Sequence, residues 1–208
     1  MERLSGMVLA IAGSYLVGAI PSGYLIVRWL KRVDVRTVGS GSVGATNVAR
    51  AAGWGASLLV FTIDVAKGLL AVGLLAPWAL GMPMRTERLA CGLAAVAGHC
   101  YPVFTGFRGG KGVATTIGVL LGAMPELAPT VLLVWACCFA IWRYVSLGSI
   151  AAVLMIPTMQ VGLHEPGPDA VLGAALAALV IFRHRANIGR LARGEELRAG
   201  RRRERAGS

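Results

Sequence analysis

The chain is 208 residues long, 56% hydrophobic and only 15% charged, with a mean hydropathy of +0.66. A soluble domain carries about a quarter charged residues, whereas apolar runs near the length of a bilayer span recur here from end to end, which excludes a soluble globular protein and predicts an all-α integral membrane one. Net charge is +11, yet the cations stand at the ends of apolar runs and not on a soluble face interleaved with aromatics, which excludes a nucleic-acid binder.

Apolar patterning predicts spans over residues 4–27, 54–78, 88–101, 113–124, 127–142, 147–163 and 169–182. The first lacks a strongly basic leader and a small-residue cleavage site, so it reads as an uncleaved span and not as a signal peptide. The third and fourth are short, since a crossing needs roughly 17–25 residues. They form two short helices flanking a Gly-rich loop, and either cross or re-enter. Seven crossings place the termini on opposite sides. One side then holds Arg28, Lys31, Arg32, Arg36, Arg50, Arg108, Lys111, Arg143 and the arginines from Arg183 onward, against Arg3, Arg85 and Arg88 on the other. By the positive-inside rule the amino terminus is outside, the carboxyl terminus is cytoplasmic, and three polar loops share the cytoplasmic face. The expected organisation is one membrane domain over 1–197 followed by a basic cytoplasmic tail over 198–208, solvated or drawn to anionic lipid.

The first of those loops, Gly39 to Arg50, has glycines that let backbone N–H groups turn inward, small polar side chains, and an arginine whose planar fork suits phosphate. The second, Gly106-Phe107-Arg108-Gly109-Gly110-Lys111-Gly112, repeats that chemistry. The third, His184-Arg185-Ala186-Asn187-Ile188-Gly189-Arg190, follows the last apolar run. Convergence of all three on phosphate at the membrane surface is the expectation. Asp64 and Lys67, inside a span, share a helix face at i, i+3 and either neutralise each other or let Lys67 extend the cationic wall.

Several motifs are misleading. Gly39-x-Gly41-x-x-Gly44 matches a dinucleotide fingerprint, but a membrane span precedes it where a strand is required. Gly110-Lys111 lacks the first glycine and the Ser/Thr of a P-loop. His164-Glu165-Pro166-Gly167-Pro168-Asp169 has a His-x4-Asp spacing used by acyltransferases, yet it falls in an outer loop away from every cation cluster and reads as a turn. His99 is either a satisfied structural histidine or a site ligand. His184 borders Arg183 and Arg185, whose charge favours the neutral imidazole. Cys91, Cys100, Cys137 and Cys138 lack metal-ligand spacing and read as small buried side chains. A phosphate transporter would share such loops and half-length spans, but no repeat relates the two halves and the cations gather on one face, not at the midplane. A scaffold binding anionic headgroups through Arg198 to Arg205 is the third alternative.

The three loops, extended to Gly98–Thr115 and His184–Glu195, together with Ala19–Tyr24, Asp64–Gly68 and Tyr144–Ser149, resemble the signature segments of the bacterial acyl-phosphate:glycerol-3-phosphate acyltransferase family. Ser42 stands where that family usually has Asn. The resemblance implies a seven-span enzyme of the bacterial cytoplasmic (inner) membrane. Such an enzyme moves a fatty acyl group from acyl phosphate to the 1-hydroxyl of glycerol 3-phosphate, giving lysophosphatidic acid and inorganic phosphate in phospholipid synthesis. It also implies no cofactor, no metal, and no direct use of acyl-CoA or acyl carrier protein. The partners would be the two substrates and membrane lipids. On that footing Ser40, Thr46, Asn47 and Arg50 are expected to bind one phosphate, and Lys111 with the backbone at Gly109 and Gly110 the other. His184, Asn187 and Ser149 are expected to orient glycerol 3-phosphate. Ser40, Lys111 and His184 are the expected catalytic residues, and the proton acceptor is either His184 or a phosphate oxygen of the donor.

Overall fold

The structure, a computed structural model, describes residues 2–165 and 167–199, and among these there is no strand. The remainder of the basic tail, from residue 200, lies outside the described residues. The helices in chain order are α1 (Glu2–Ala19), α2 (Ser22–Lys31), α3 (Ala45–Ala52), α4 (Trp54–Leu70), α5 (Ala76–Leu80) and α6 (Arg85–Cys100). They continue with α7 (Val113–Ala123), α8 (Ala128–Trp142), α9 (Val145–Gly162), α10 (Gly167–Arg183) and α11 (Arg185–Ala192). Among the described residues, three helical stretches are long and apolar enough to cross a membrane: Glu2–Lys31, Trp54–Leu80 and Val145–Gly162. A fourth qualifies if α10 and α11, bent by 58°, are counted as one broken span.

Two of these stretches are interrupted by proline. Pro21 has no N–H to give and disfavours helix at Ile20, so the first stretch divides into α1 and α2 there. In the second, Pro77 is absorbed by a π-turn over Ala71–Leu75, where the N–H of Ala76 reaches back five residues to Ala71.

With lipid outside, helices gain little from apolar burial alone, and close backbone approach through small residues takes over. A Cβ on Gly18 would overlap the carbonyl of Ala95, and one on Gly98 that of Tyr15, so α1 and α6 are matched glycine against backbone. Gly68 against Thr115 and Gly118 against Val65 do the same for α4 and α7. Gly18→Ala is therefore expected to lower the thermal stability of the detergent-solubilised protein by about 1–3 kcal/mol through overpacking. Unfolding monitored by circular dichroism checks it against Gly53→Ala, whose Cβ would meet nothing but is strained by its positive φ. The larger core joins α6 to α10 around Leu89, Leu120, Met124, Ile156 and Leu176. A smaller one, Val27, Val35, Val43, Val48 and Val60, seats the first polar loop on α2, α3 and α4.

Asp64 and Lys67 are a neutralised pair. Lys67 is 3% exposed and directs its three N–H donors to Ile20 O, Ser22 Oγ and Asp64 Oδ1. It contributes nothing to a cationic wall. At the other end of α6, Arg85 pairs with Glu126 and Glu165, Thr86 bonds Asp169, and Arg3 pairs with Glu87. Glu165 and Asp169 of the His-x4-Asp segment are thus occupied at the end of α6 opposite the polar loops; His164 lies in a turn as expected, whereas Gly167 to Asp169 open α10. Cys91 and Cys100 are buried, but Cys137 is exposed and Cys138 half-buried. The expectation of four buried cysteines is corrected here, because α8 is peripheral and buries only Ala128 and Val131.

Candidate active site

The first loop is built around an amide. Gly39 and Gly41 turn the chain at positive φ, 59° and 70°, where a side chain would be strained. Inside the loop, Asn47 Oδ1 accepts the N–H of Ser40 at 2.9 Å, while Nδ2 donates to Val35 O, Val38 O and Ser42 O at 3.1, 2.9 and 2.9 Å. Both ends of the Asn47 amide are therefore engaged by the loop's own backbone, and the residue is 1% exposed. This corrects its expected role as a phosphate ligand: Asn47 is the frame that presents Ser40. Ser42, in the position where asparagine was expected, accepts the N–H of Gly44 at 3.2 Å and closes a local turn. Ser40, Thr46 and Arg50 are all exposed.

The second loop is locked from both sides. The N–H of Gly110 bonds His99 O at 3.0 Å, and Arg183 donates to Gly110 O and Gly109 O at 3.0 and 3.1 Å. Arg183 also lies 4.8 Å over the ring of Tyr101. A Cβ at Gly109 would overlap His99 O, and one at Gly110 would overlap the His99 ring. Gly110 is thus a packing residue whose amide is already used, a second correction to the expected ligand set. Lys111 follows it, half-buried, and makes no hydrogen bond or ion pair among the described residues.

In the third loop His184 is 2% exposed, with Nδ1 2.8 Å from Val180 O. A carbonyl can only accept, so the ring proton sits on Nδ1 and Nε2 offers a lone pair. Burial, reinforced by the charge of Lys111, pushes His184 down to about 4, so it is neutral as expected. Asn187 donates to Glu196 Oε1 at 2.6 Å, Ser146 donates to the same oxygen at 2.7 Å, and Arg190 Nε donates to Oε2 at 2.7 Å. Burial opposes ionisation of Glu196, but these three donors outweigh it and hold the carboxyl below its usual range.

Glu196 is the site residue that sequence reasoning missed. The available signal was its position: Glu195 and Glu196 are two of the three acidic residues in the strongly basic stretch from Arg183 onward, and a turn at Gly194, φ 70°, folds Glu196 back. Ser149 donates to Val145 O within α9 at 2.8 Å and does not line the cleft; Ser146, three residues earlier, stands in the network instead. The start of the expected tail also belongs to the packed body, where Arg198 donates to Tyr144 Oη and Ala199 N–H to Arg143 O.

All three loops meet at a cleft of about 220 Å³, lined by Ser40, Gly41, Ser42, Gly109, Lys111, Asn187 and Arg190 with Arg183 and Arg185. A neighbouring cleft of about 480 Å³ shares Gly41, Gly109 and Arg183, and adds Arg36, Arg108 and Phe107. Arg190 from the cleft wall and Arg50 from beside the cleft act on the charge of Lys111. Burial, opposed by Glu196 and reinforced by these arginines, depresses Lys111 to about 8. The arrangement leaves one ammonium and one backbone-framed hydroxyl without hydrogen bonds among the described residues, chemistry suited to an anion, beside a neutral imidazole that can accept a hydrogen bond.

The family profile of glycerol-3-phosphate acyltransferase matches residues 8–194. The chain is 45% identical over 184 residues to the glycerol-3-phosphate acyltransferase of Syntrophomonas wolfei, covering 88% of this chain and 91% of that protein. It is 44% identical over 194 residues to that of Synechococcus elongatus, covering 91% and 92%. Its fold is similar to the crystal structure of PlsY (YgiH), an integral membrane glycerol 3-phosphate acyltransferase, in its glycerol 3-phosphate form. The TM-score is 0.86 at 43% identity, covering 93% of this chain and 96% of that one. The lysophosphatidic acid form gives 0.83 at 42% identity, with 93% and 95% covered. With the profile matched over residues 8–194 and relatives 44–45% identical along nearly their whole length, the chain belongs to the glycerol-3-phosphate acyltransferase family.

Proposed function

We propose that this protein transfers a fatty acyl group from acyl phosphate to the 1-hydroxyl of glycerol 3-phosphate, releasing lysophosphatidic acid and inorganic phosphate. The observation that carries the reading is one cleft in which Ser40, Lys111 and Asn187, from three separate loops, meet around an ammonium without a partner among the described residues. Two phosphorylated substrates need such a site, since their like charges must be neutralised before their reacting atoms approach. Ser40 and Lys111 hold and neutralise phosphate, with Arg50 adding positive charge at the rim. Asn187, fixed by Glu196, and the Nε2 of His184 orient the glycerol hydroxyls.

The proton acceptor follows from His184. An imidazole pushed down to about 4 is a poor base at neutral pH, so it accepts a hydrogen bond and does not keep the proton. The glycerol oxygen bonds to the acyl carbon, the carbon–oxygen bond to phosphate breaks, and an oxygen of the departing phosphate takes the hydroxyl proton. No covalent enzyme intermediate is needed, because acyl phosphate already carries a good leaving group. Seven crossings, an outer amino terminus and a cytoplasmic site in the inner membrane complete the reading. The charge asymmetry of the loops supports them.

Purified protein supplied with glycerol 3-phosphate and either palmitoyl phosphate or palmitoyl-CoA tests the reaction. Lysophosphatidic acid from the first donor alone is the expected product pattern, and product from the CoA ester alone would refute the donor. Sidedness is checked by thiol labelling of cysteines placed at Thr37, Arg108 and Arg185 in a background without Cys137 and Cys138. All three should react from the cytoplasmic side.

A pH dependence follows from Lys111. Its charge is present below about 8 and is lost above it, whereas a phosphate monoester, with a second pKa of about 6, stays a dianion throughout that range. KM for glycerol 3-phosphate should therefore rise above pH 8, by up to about tenfold per unit in the limit where only the ammonium binds. Lys111→Arg keeps its charge and should lose the inflection.

A further inference from the structure

Beneath the cleft lies a polar cluster that the chemistry above does not use. Asp64, 1% exposed, accepts at one oxygen both the Ser22 hydroxyl at 2.6 Å and the Lys67 ammonium at 2.8 Å. The His99 Nδ1 stands 3.6 Å from that same oxygen. A buried ion pair placed for stability alone is weak evidence of anything, since desolvation offsets much of its attraction. What distinguishes this one is where its two ends lead.

One end is the break between α1 and α2. Lys67 bonds Ile20 O and Ser22 Oγ, the carbonyl that also accepts the Ser22 N–H across the break and the hydroxyl that opens α2. Gly23, next along, lies so close to Val43 of the first loop that a Cβ would overlap its carbonyl. The other end is the second loop. His99 accepts the N–H of Gly110 through its carbonyl, and its ring lies directly beneath Gly110, so that a Cβ there would overlap Nε2. Lys111 is the next residue. A single buried cluster therefore touches the supports of both anion-binding loops, from α2, α4 and α6, without touching the cleft.

We propose that Ser22, Asp64, Lys67 and His99 form one positioning unit that fixes the separation of the first and second loops, and through it the placement of Ser40 against Lys111. The unit rests on the acyl-transfer reading for its consequence in turnover but not for its existence. Discrete packed arrangements resist small displacements, and a misplacement of about 1 Å at a site of this kind costs on the order of 10²-fold in rate.

The test uses two variants of the full-length protein, His99→Gln and the charge-neutral double variant Asp64→Asn with Lys67→Met. Turnover and KM are measured with palmitoyl phosphate and glycerol 3-phosphate, thermal stability by unfolding, and backbone order by hydrogen–deuterium exchange. Both variants should keep the wild-type unfolding temperature within a few degrees, while kcat falls on the order of 10²-fold. Amide exchange should speed up in residues 39–44 and 106–112 and stay unchanged in α4 and α6. Wild-type kcat with wild-type loop exchange would overturn the proposal. So would faster exchange throughout α4, α6 and α7 with a matching loss of stability, because that is the signature of a merely structural cluster. If the double variant does not fold, His99→Gln decides, since it leaves the ion pair intact. Should the wild-type protein itself yield no lysophosphatidic acid, the acyl-transfer reading fails, and the exchange comparison still decides whether the unit exists.

Discussion

Lys111→Ala is expected to lower turnover by on the order of 10²- to 10³-fold and to leave the protein at least as stable as the wild type. Both halves come from the same observation. The ammonium is half-buried, surrounded by Arg50, Arg183 and Arg190, and balanced only in part by Glu196, so its charged form is disfavoured and its pKa falls to about 8. A lysine whose folded pKa lies below its unfolded one weakens folding. That penalty is fully present below pH 8 and fades as pH climbs toward the unfolded value. Deleting the side chain removes the penalty, and Lys111→Met does so with less change of shape. Such a group is retained at the expense of stability because an incoming dianion supplies the missing counter-charge. Steady-state kinetics alongside thermal unfolding checks the pair of outcomes. Retained turnover would remove Lys111 from the site, whereas turnover and stability lost together would make it a structural residue.

Much of the architecture was legible because hydropathy reports burial in lipid directly. The apolar runs are helices, and the polar loops between them do converge. Two things were not legible. The first is how a run divides: Pro21 splits the first stretch into two helices, while Pro77 is absorbed in the second by a π-turn. Both are prolines in apolar sequence, and only the surrounding packing settles which one breaks the chain. The second is the direction of each polar group. A motif gathers the residues of a site but does not say which of them bind and which hold the binders. Asn47 and Gly110 carry the right chemistry for anion contact and spend it on backbone and on His99. Glu196 has the wrong sign for an anion site, yet it fixes Asn187, Ser146 and Arg190 in place. Hydrogen-bond saturation is a three-dimensional property and leaves no trace in spacing.

Asn47 offers the sharpest test of that distinction, and Asn47→Asp is the substitution to make. It preserves the shape and the oxygen that accepts Ser40 N–H, but it replaces a donor facing three carbonyls, Val35 O, Val38 O and Ser42 O, by an acceptor. A buried carboxylate against three unpaired carbonyls costs about 3 kcal/mol or more. The first loop should open, with thermal stability falling and turnover following, because Ser40 is no longer presented to the cleft. Ser40→Ala makes the contrast: an exposed hydroxyl with no structural bond is removed, so turnover should fall while the unfolding temperature holds. If Asn47 instead contacted phosphate directly, both variants would behave alike, each raising KM in a protein of unchanged stability. The framing role assigned to Asn47 would then be untenable, and the loop would have to be held by its glycines and by Val43 and Val48 alone.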